Sequence, residues 1–574
     1  MEEARGRFSS VPREILDDIV SYLPNRDKKA LRRASSFFAE TVNIQIPRVF
    51  LSANPRNIEV IEAIANHEIR RHHVEQLIWD DSLLATPGSR HQMRNTYEPC
   101  GPFLPAPKHA LLQSLPQRKV DLEFEPHRLY ATACVVNIHN ILFKRGKDCD
   151  TPAHLDREER LENAMSFQDS VRHYTQLYFQ QQEVIRTGQH IRAFRVALDR
   201  FPNLRKVTIT PACHGFLFTP LYETPMIRDF PKGFNHPIPR SWVSYTGTNG
   251  RRNAILRPGF RGSSKKIWDS VHVVFGTLVE RKHNQVTELE VNVHGLDYGI
   301  PIDFFRLSNI ECCHFFNIAE KLSRLDLSIQ VPPSPNEDPF GTTVFMRPAF
   351  CRNPNLKHFS LHCCRGGHDG RFPPLRKLLP VEKWTYLEHF GLTGFKVSID
   401  DLVDFLSSMP TTLSSLELGF LRFQTPGEHY DGLMQAMRDN LGWRNESEDS
   451  RPKIVIRVDL ADRVRGRYIQ VDKEVEDFVY GDGPNPFTFN DLFDKGTMHD
   501  EFDPEYERPN LADEELAALG IIKDPRYIED SPYDADVVPE YCELEDDQDS
   551  YDFDSQSDSS GEADYAWSDS ADSQ

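Results

Sequence analysis

Cysteines and histidines that could ligate a metal stand side by side twice, as Cys312-Cys313-His314 and as His362-Cys363-Cys364. Structural zinc uses pairs spaced C-x2-4-C, because two ligands on a tight turn must point at one ion. Adjacent side chains on a strand or helix point apart. The two triplets therefore read as buried core thiols, with His314 and His362 as packed or surface histidines. Asp80 and Asp81 pair two carboxylates with no base or metal partner beside them, and read as a turn or a solvated strand end. Neither a G-x-x-x-x-G-K-[ST] phosphate loop nor a G-x-S-x-G nucleophile elbow occurs in the sequence. A cysteine–histidine couple distant in the chain stays open, though nothing points to one. The expectation is a chain with no catalytic residues, no metal and no cofactor.

A short apolar pattern is more regular than any of these groups. Val74, Leu77 and Trp79 follow the order apolar-x-x-apolar-x-apolar. The order returns at Leu204/Val207/Ile209, Val286/Leu289/Val291, Leu322/Leu325/Leu327, Leu356/Phe359/Leu361, Leu387/Phe390/Leu392 and Leu413/Leu416/Leu418, and an apolar strand from Ile454 to Leu460 closes the series. The last five copies start at 286, 322, 356, 387 and 413, in steps of 36, 34, 31 and 26. L-x-x-L-x-L is the strand half of a leucine-rich repeat, whose regular forms run about 20–29 residues. Longer, uneven steps predict divergent repeats with helices and loops of variable size between strands.

Those intervals carry helical spacing at Ile58–Ala65, Leu155–Arg186, Ile191–Leu198, Ile267–Val279, Cys312–Leu322 and Ile399–Met409. Helix, turn and strand in alternation predict an α/β solenoid with a curved parallel sheet. Residues 82–108 and 211–265, rich in Pro, Gly and polar types, break the rhythm and read as loop insertions. Between the repeat leucines, alternate residues face the other side of the sheet. They are Asp80, Lys206, Thr208, Glu288, Glu290, Arg324, Asp326, His358, Ser360, His389 and Glu417. Stacked strands would gather them on one curved surface, either a protein-recognition face or a merely solvated one.

The amino-terminal stretch has its own pattern. Ser9 and Ser10 offer N-caps, and Pro12 suits a first helical turn. Val11, Ile15, Leu16, Ile19 and Leu23 share one helical face. Pro24 stops that helix, Asp27 can cap the next, and Leu31, Ala34, Phe38 and Val42 form its apolar side. So short a helical unit buries too little surface to stand alone, and must pack on the rest of the chain or on a partner.

This stretch resembles an F-box. The family's Leu-Pro start is here Val11-Pro12, and Ile15, Leu16, Ile19, Leu23, Asp27 and Leu31 occupy the following pattern positions. The second helix departs from the pattern in being basic, at Lys28, Lys29, Arg32 and Arg33. The resemblance implies docking through Val11, Pro12, Ile15, Leu16, Ile19, Leu23 and Leu31 onto the Skp adaptor of a ubiquitin ligase, and through it onto a cullin. With R-V-F-L-S-A-N-P-R-N-I-E-V near residue 50 and V-E-Q-L-I-W-D-D near residue 75, the arrangement over roughly residues 8–460 resembles fungal F-box proteins with irregular leucine-rich-repeat-like C-terminal domains. It implies a non-enzymatic substrate receptor whose repeat domain holds an unknown target protein.

Composition bounds this reading. Of 574 residues 39% are hydrophobic, enough for a substantial core. No run of about 18 apolar residues predicts a membrane span, and the N-terminus lacks a secretory pattern. A cytosolic or nuclear protein is expected, with its ten cysteines as thiols. Of the net charge of −20, the residues from Glu529 onward carry −17 and the remainder −3, so the foldable part is no general nucleic-acid binder. The resulting division is F-box 8–50, repeat domain 51–460, a partly ordered extension 461–528 and a disordered acidic tail 529–574. Ser555 and Ser559 each precede an acid by three residues and suit an acidophilic kinase, or the tail merely solubilises. A rival reading is a repeat scaffold outside any ligase whose acidic tail binds a basic protein.

Overall fold

The computed structural model describes residues 11–23, 25–85, 128–142, 152–239, 269–281, 284–296, 299–305, 310–330, 346–363, 372–459, 466–488 and 495–521. The acidic tail with Ser555 and Ser559 lies outside these residues, as do Ser9, Ser10, Pro24, residues 86–108 and residues 240–265.

Each apolar-x-x-apolar-x-apolar copy becomes a strand preceded by a buried residue at its first position. The strands are β1 (Arg48–Ser52), β2 (Gln76–Asp80), β3 (Lys206–Thr210), β4 (Glu288–Val291), β5 (Ile300–Pro301), β6 (Arg324–Gln330), β7 (His358–Cys363), β8 (His389–Thr393), β9 (Lys396–Val397), β10 (Ser415–Gly419), β11 (Arg422–Phe423) and β12 (Lys453–Asp459). Three more follow: β13 (Arg467–Val471), β14 (Thr497–Asp500) and β15 (Asp503–Pro509). The main sheet has the order β1-β2-β3-β4-β6-β7-β8-β10-β12-β13-β14-β15, with β5 beside β6. It is parallel from β1 to β12 and antiparallel beyond. Strands thus join in chain order. A parallel pair needs a crossover that carries the chain back to the same end, and most crossovers contain a helix, such as Pro55–Ala65, Gln189–Arg200, Asp269–Glu280, Ile310–Ala319 and Ile399–Ser407.

Register stacks like on like. Leu77, Val207, Leu289, Leu325, Phe359, Phe390, Leu416 and Ile454 form one continuous row across the sheet. Helices close over this face. Phe194 meets Trp79 edge-on at 5.4 Å, Trp384 and Phe350 flank Phe359 at 4.6 and 5.2 Å, and Phe405 packs on Phe390 at 5.4 Å. The Trp384 indole donates to the Phe350 carbonyl at 3.2 Å. Each such side chain stabilises by roughly 1.5–3 kcal/mol when fully buried, and the row runs through the middle of the main hydrophobic core.

Three expectations need correction. The stretch Leu155–Arg186 is two helices, Pro152–Glu162 and Phe167–Thr187, because Ser166 turns its hydroxyl onto the Asp169 N–H and caps the second. Residues 211–239 are no surface loop: Cys213, His214, Leu217, Phe234, Asn235 and His236 are buried. They pack with the helix Arg128–Leu142, where Tyr130 and Asn137 donate to the Asn235 and His236 carbonyls at 3.0 and 2.8 Å. Residues 82–85 likewise enter this side core, with Tyr174 donating to the Ala85 carbonyl at 3.1 Å. Beyond Leu460, in the extension expected to be partly ordered, the described residues form strands β13–β15 and the helix Lys473–Tyr480.

That C-terminal addition reveals the sheet's curvature. From β4 to β14 there are seven strand steps, about 34 Å along the sheet at roughly 4.8 Å per step. Yet the Glu501 carboxylate in the β14–β15 turn sits against Gly295 just after β4, leaving no room for a side chain there. Phe502 meets Phe216 at 4.8 Å. The helix-covered face is therefore the convex one, and the polar face folds inward. The turn is anchored by a buried Arg467–Asp500 pair at 3.4 Å, with Tyr506 against the guanidinium at 4.1 Å.

Candidate functional site

The first candidate is the N-terminal helical unit. The helix Arg13–Ser21 starts directly after Pro12, which stands at its N-cap, and the Pro12 carbonyl accepts from the Leu16 N–H at 3.1 Å. The helices Asn25–Ala34 and Ser36–Thr41 follow. Asp27 falls inside the first turn of the middle helix rather than capping it, and Ser35 caps the third by accepting from the Phe38 N–H at 3.2 Å. Leu16, Val20 and Val42 form a small core of their own, with Val11, Phe37 and Phe38 packed on it. Leu23 and Leu31 are half-buried.

The apolar face expected as one surface is in fact split. Leu16 is 4% exposed and holds the helices together. Ile15 and Ile19 are 52% and 50% exposed, and Tyr22 is 81% exposed. Spaced four and three residues apart, these three fall on one helical flank. Pro12 is exposed at the start of the same helix.

The second candidate is the inward face of the sheet. Register places Gln76, Lys206, Glu288, Arg324, His358, His389 and Ser415 in one row, and Ile78, Thr208, Glu290, Asp326, Ser360, Gly391 and Glu417 in another. The polar residues read from alternation are thus brought together, Asp80 excepted. They are linked across strands. Lys206 pairs with Glu290 at 2.7 Å, and Thr208 donates to the same carboxylate at 3.0 Å while accepting from Gln76 at 3.0 Å. Asp326 lies 2.7 Å from the Arg324 Nε and 2.8 Å from the His358 Nε2. The His358 and His389 rings stack at 4.0 Å, and Ser360 stands 3.3 Å from the Nε2 of each. Arg457 pairs with Glu417 at 2.9 Å.

Burial shapes the charge states. Burial raises the Asp326 carboxyl, but His358 and Arg324 outweigh it and hold the group well below the usual carboxylate range. Burial, with the His358 imidazole beside it, pushes His389 down to about 3, so its ring is neutral near pH 7. Glu290 is held low by Lys206 against its own burial. Thr208 and Asp326 are buried, while Lys206, Glu290, His358, His389 and Glu417 are half-exposed. The face can therefore offer a partner fixed charges and hydrogen-bonding groups already held in place.

Asp80 leaves this surface. It is buried with Asp81, which corrects the reading of a solvated strand end. Ser82 donates to the Asp80 carboxylate at 2.5 Å and Ser270 to Asp81 at 2.6 Å. Burial pushes the Asp80 carboxyl up to about 6 against those hydrogen bonds. The cysteines divide: Cys363 is buried in β7, whereas Cys313 is exposed and corrects the expectation of a core thiol. Among the described residues no cluster of three metal-ligating side chains occurs, and no helix is long and apolar enough to cross a membrane.

One part of the inward face was not foreseen. Between the parallel strands and the antiparallel β13–β15 lies a crevice of about 340 Å³ lined by His294, His362, Thr393, Arg457, Tyr468 and Tyr506. Burial pushes His294 down to about 4 and lowers His362 also. His294 and Phe420, which also borders the crevice, both take positive φ angles of 49°, unusual for residues with side chains. No sequence pattern marks it, because β13–β15 carry no repeat spacing. No family model matches the chain, and no curated protein is significantly similar to it.

Proposed function

We propose that this chain is the substrate-recognition subunit of a Skp–cullin–F-box ubiquitin ligase. In this reading the N-terminal helices are the F-box, and the sheet with its convex helices is a divergent leucine-rich-repeat solenoid whose inward polar face receives a target protein. The chain contributes no bond chemistry; it raises the target's effective concentration at another protein's catalytic centre.

The observation that carries the proposal is the exposed flank Ile15–Ile19–Tyr22. These side chains lie on a helical unit with its own small core, next to the buried Leu16 and Val20 that keep the helix in place. A helix with a satisfied inner face and an apolar outer flank is suited to bury that flank on a partner groove. Each of the three would contribute about 1.5–3 kcal/mol on full burial.

The test is co-expression with a Skp adaptor, using the wild type and the Ile15→Asp/Ile19→Asp variant. The wild type should retain the adaptor through purification, and the variant should lose it while keeping the wild-type unfolding transition. Absence of adaptor from the wild type, or equal retention by the variant, refutes the ligase reading.

A further inference from the structure

A second groove, of about 710 Å³, lies at the opposite end of the sheet, between the helix Asn25–Ala34 and the start of β1 to β4. Its charges are unbalanced. Lys29, Arg48, Arg70, Arg205, Lys206 and Arg228 line it, against the carboxylates of Glu75 and Glu288 alone. Arg205 engages both of these, at 2.9 and 3.9 Å. Lys206 is taken by Glu290 and Arg228 by Glu223. Arg48 donates only to the neutral Gln76 amide at 3.0 Å and lies 5.7 Å over the Tyr222 ring. Among the described residues Lys29, Arg48 and Arg70 therefore keep uncompensated charge at one groove, in a chain whose part before Glu529 sums to only −3.

Two further features narrow the occupant. Ile44, Ile46 and Val60 line the groove half-buried, so it is apolar as well as basic. Among the described residues the strand β1 ends the sheet and pairs only with β2, so the alternate N–H and carbonyl groups on its outer edge meet no described strand. An extended peptide meets all three demands: main-chain groups for the edge, acidic side chains for the cations, apolar ones for the aliphatic wall. A nucleic acid would satisfy the cations and could stack a base only on Phe50, which is half-buried and packs beside Tyr222 at 6.1 Å, and it would leave the strand edge unmet.

We infer that this groove binds an extended segment of another protein in which acidic residues, carboxylate or phosphorylated, alternate with aliphatic ones. The inference names a target chemistry for the proposed receptor but needs no adaptor binding to hold. It places target capture at the sheet edge beside the N-terminal helices, where the inward polar row begins with Gln76, Lys206 and Glu288. The flank Ile15–Ile19–Tyr22 belongs to a different helix from Lys29, so an adaptor on that flank would leave the Lys29 helix to line the groove.

Fluorescence anisotropy with the purified full chain tests this. The probes are a labelled peptide of alternating Glu and Val, about twelve residues long, the same peptide with Gln for Glu, and a single-stranded oligonucleotide of equal charge. The Glu/Val peptide should bind saturably, about tenfold or more tighter than the Gln/Val peptide and the oligonucleotide, and more weakly as salt rises. Arg48→Glu/Arg70→Glu should weaken it by about tenfold or more. Arg70→Gln alone, outside any strand, serves if the double variant unfolds, and should weaken it about threefold. Equal binding of the Gln/Val peptide, tighter binding of the oligonucleotide, or unchanged affinity in folded variants overturns the inference. Adaptor co-purification from the same preparations separates the two proposals: an Ile15→Asp/Ile19→Asp chain that still binds peptide isolates a failure to the ligase reading, and an Arg48→Glu/Arg70→Glu chain that retains adaptor isolates it to the groove.

Discussion

Asp326 shows how one residue organises its neighbours. Its carboxylate accepts from Arg324, two residues back on its own strand, and lies 2.8 Å from the His358 Nε2 on the next strand, where His358 stacks on His389. Asp326→Asn leaves the Arg324 guanidinium without its counter-charge and the His358 ring without its carboxylate neighbour, and should cost about 1–3 kcal/mol in denaturant unfolding. Buried imidazoles set the pH response. His236 stacks on Phe234 at 4.4 Å and is pushed down to about 4 by burial, as is His294. The unfolded chain takes up protons at these positions from about pH 6.5 downward, and the folded chain does not until about pH 4. Each histidine should therefore remove about 1.4 kcal/mol per pH unit across that interval. Asp80, pushed up to about 6, acts in the opposite sense below that pH and offsets one of them. Urea midpoints between pH 7 and 4.5 should fall, and His236→Phe should flatten the fall by one histidine's share. A level wild-type profile would mean that these rings protonate freely in the folded protein.

At the scale of the element, the helix Arg13–Ser21 has two apolar sides with different tasks. Ile15→Asp and Ile19→Asp lie on the exposed side and should change unfolding by about 0.5 kcal/mol or less. Leu16→Ala removes a buried side chain and should cost about 2 kcal/mol or more of the helical unit's stability. Adaptor binding combined with circular dichroism distinguishes the two: the first pair should lose the partner with helicity intact, the second should lose both. Helical spacing alone could not divide Leu16 from Ile19, because one broad stripe fits either side. The strands were far more legible. Apolar residues at every second position, led by a leucine, fit the pleat of a sheet, and β2, β3, β4, β6, β7, β8, β10 and β12 lie where that spacing falls. By contrast β14 (T-M-H-D) and β15 (D-P-E-Y-E-R-P) are polar and proline-containing. They are strands because β13, itself paired on β12, offered β14 an edge and β14 offered one to β15, which no local pattern announces.

For the whole molecule, the question is what holds the inward face. The β14–β15 turn spans seven strand steps to reach the segment after β4 and eight to reach the one after β3. Phe502→Ala should cost about 3 kcal/mol by emptying the Phe216 contact. It should also raise hydrogen exchange at residues 292–296 and 215–219 more than in β7 and β8. Uniform change across the sheet, or none, would mean that the turn rests on the sheet without bracing it.

The local period of the chain determined which residues are strand and which helix across most of the repeat region, and which side chains of each strand face the helices. Side-chain type and backbone geometry suffice for that, since neighbours a few residues apart decide it. Tertiary structure alone decided what covers those faces. Asp80 looked solvated until residues 211–214 lay over it, and the free charges of Lys29, Arg48 and Arg70 became one groove only when the first helices met the sheet edge. The physical reason is range: burial and charge balance depend on segments hundreds of residues apart, and spacing along the chain carries no record of which of them will meet.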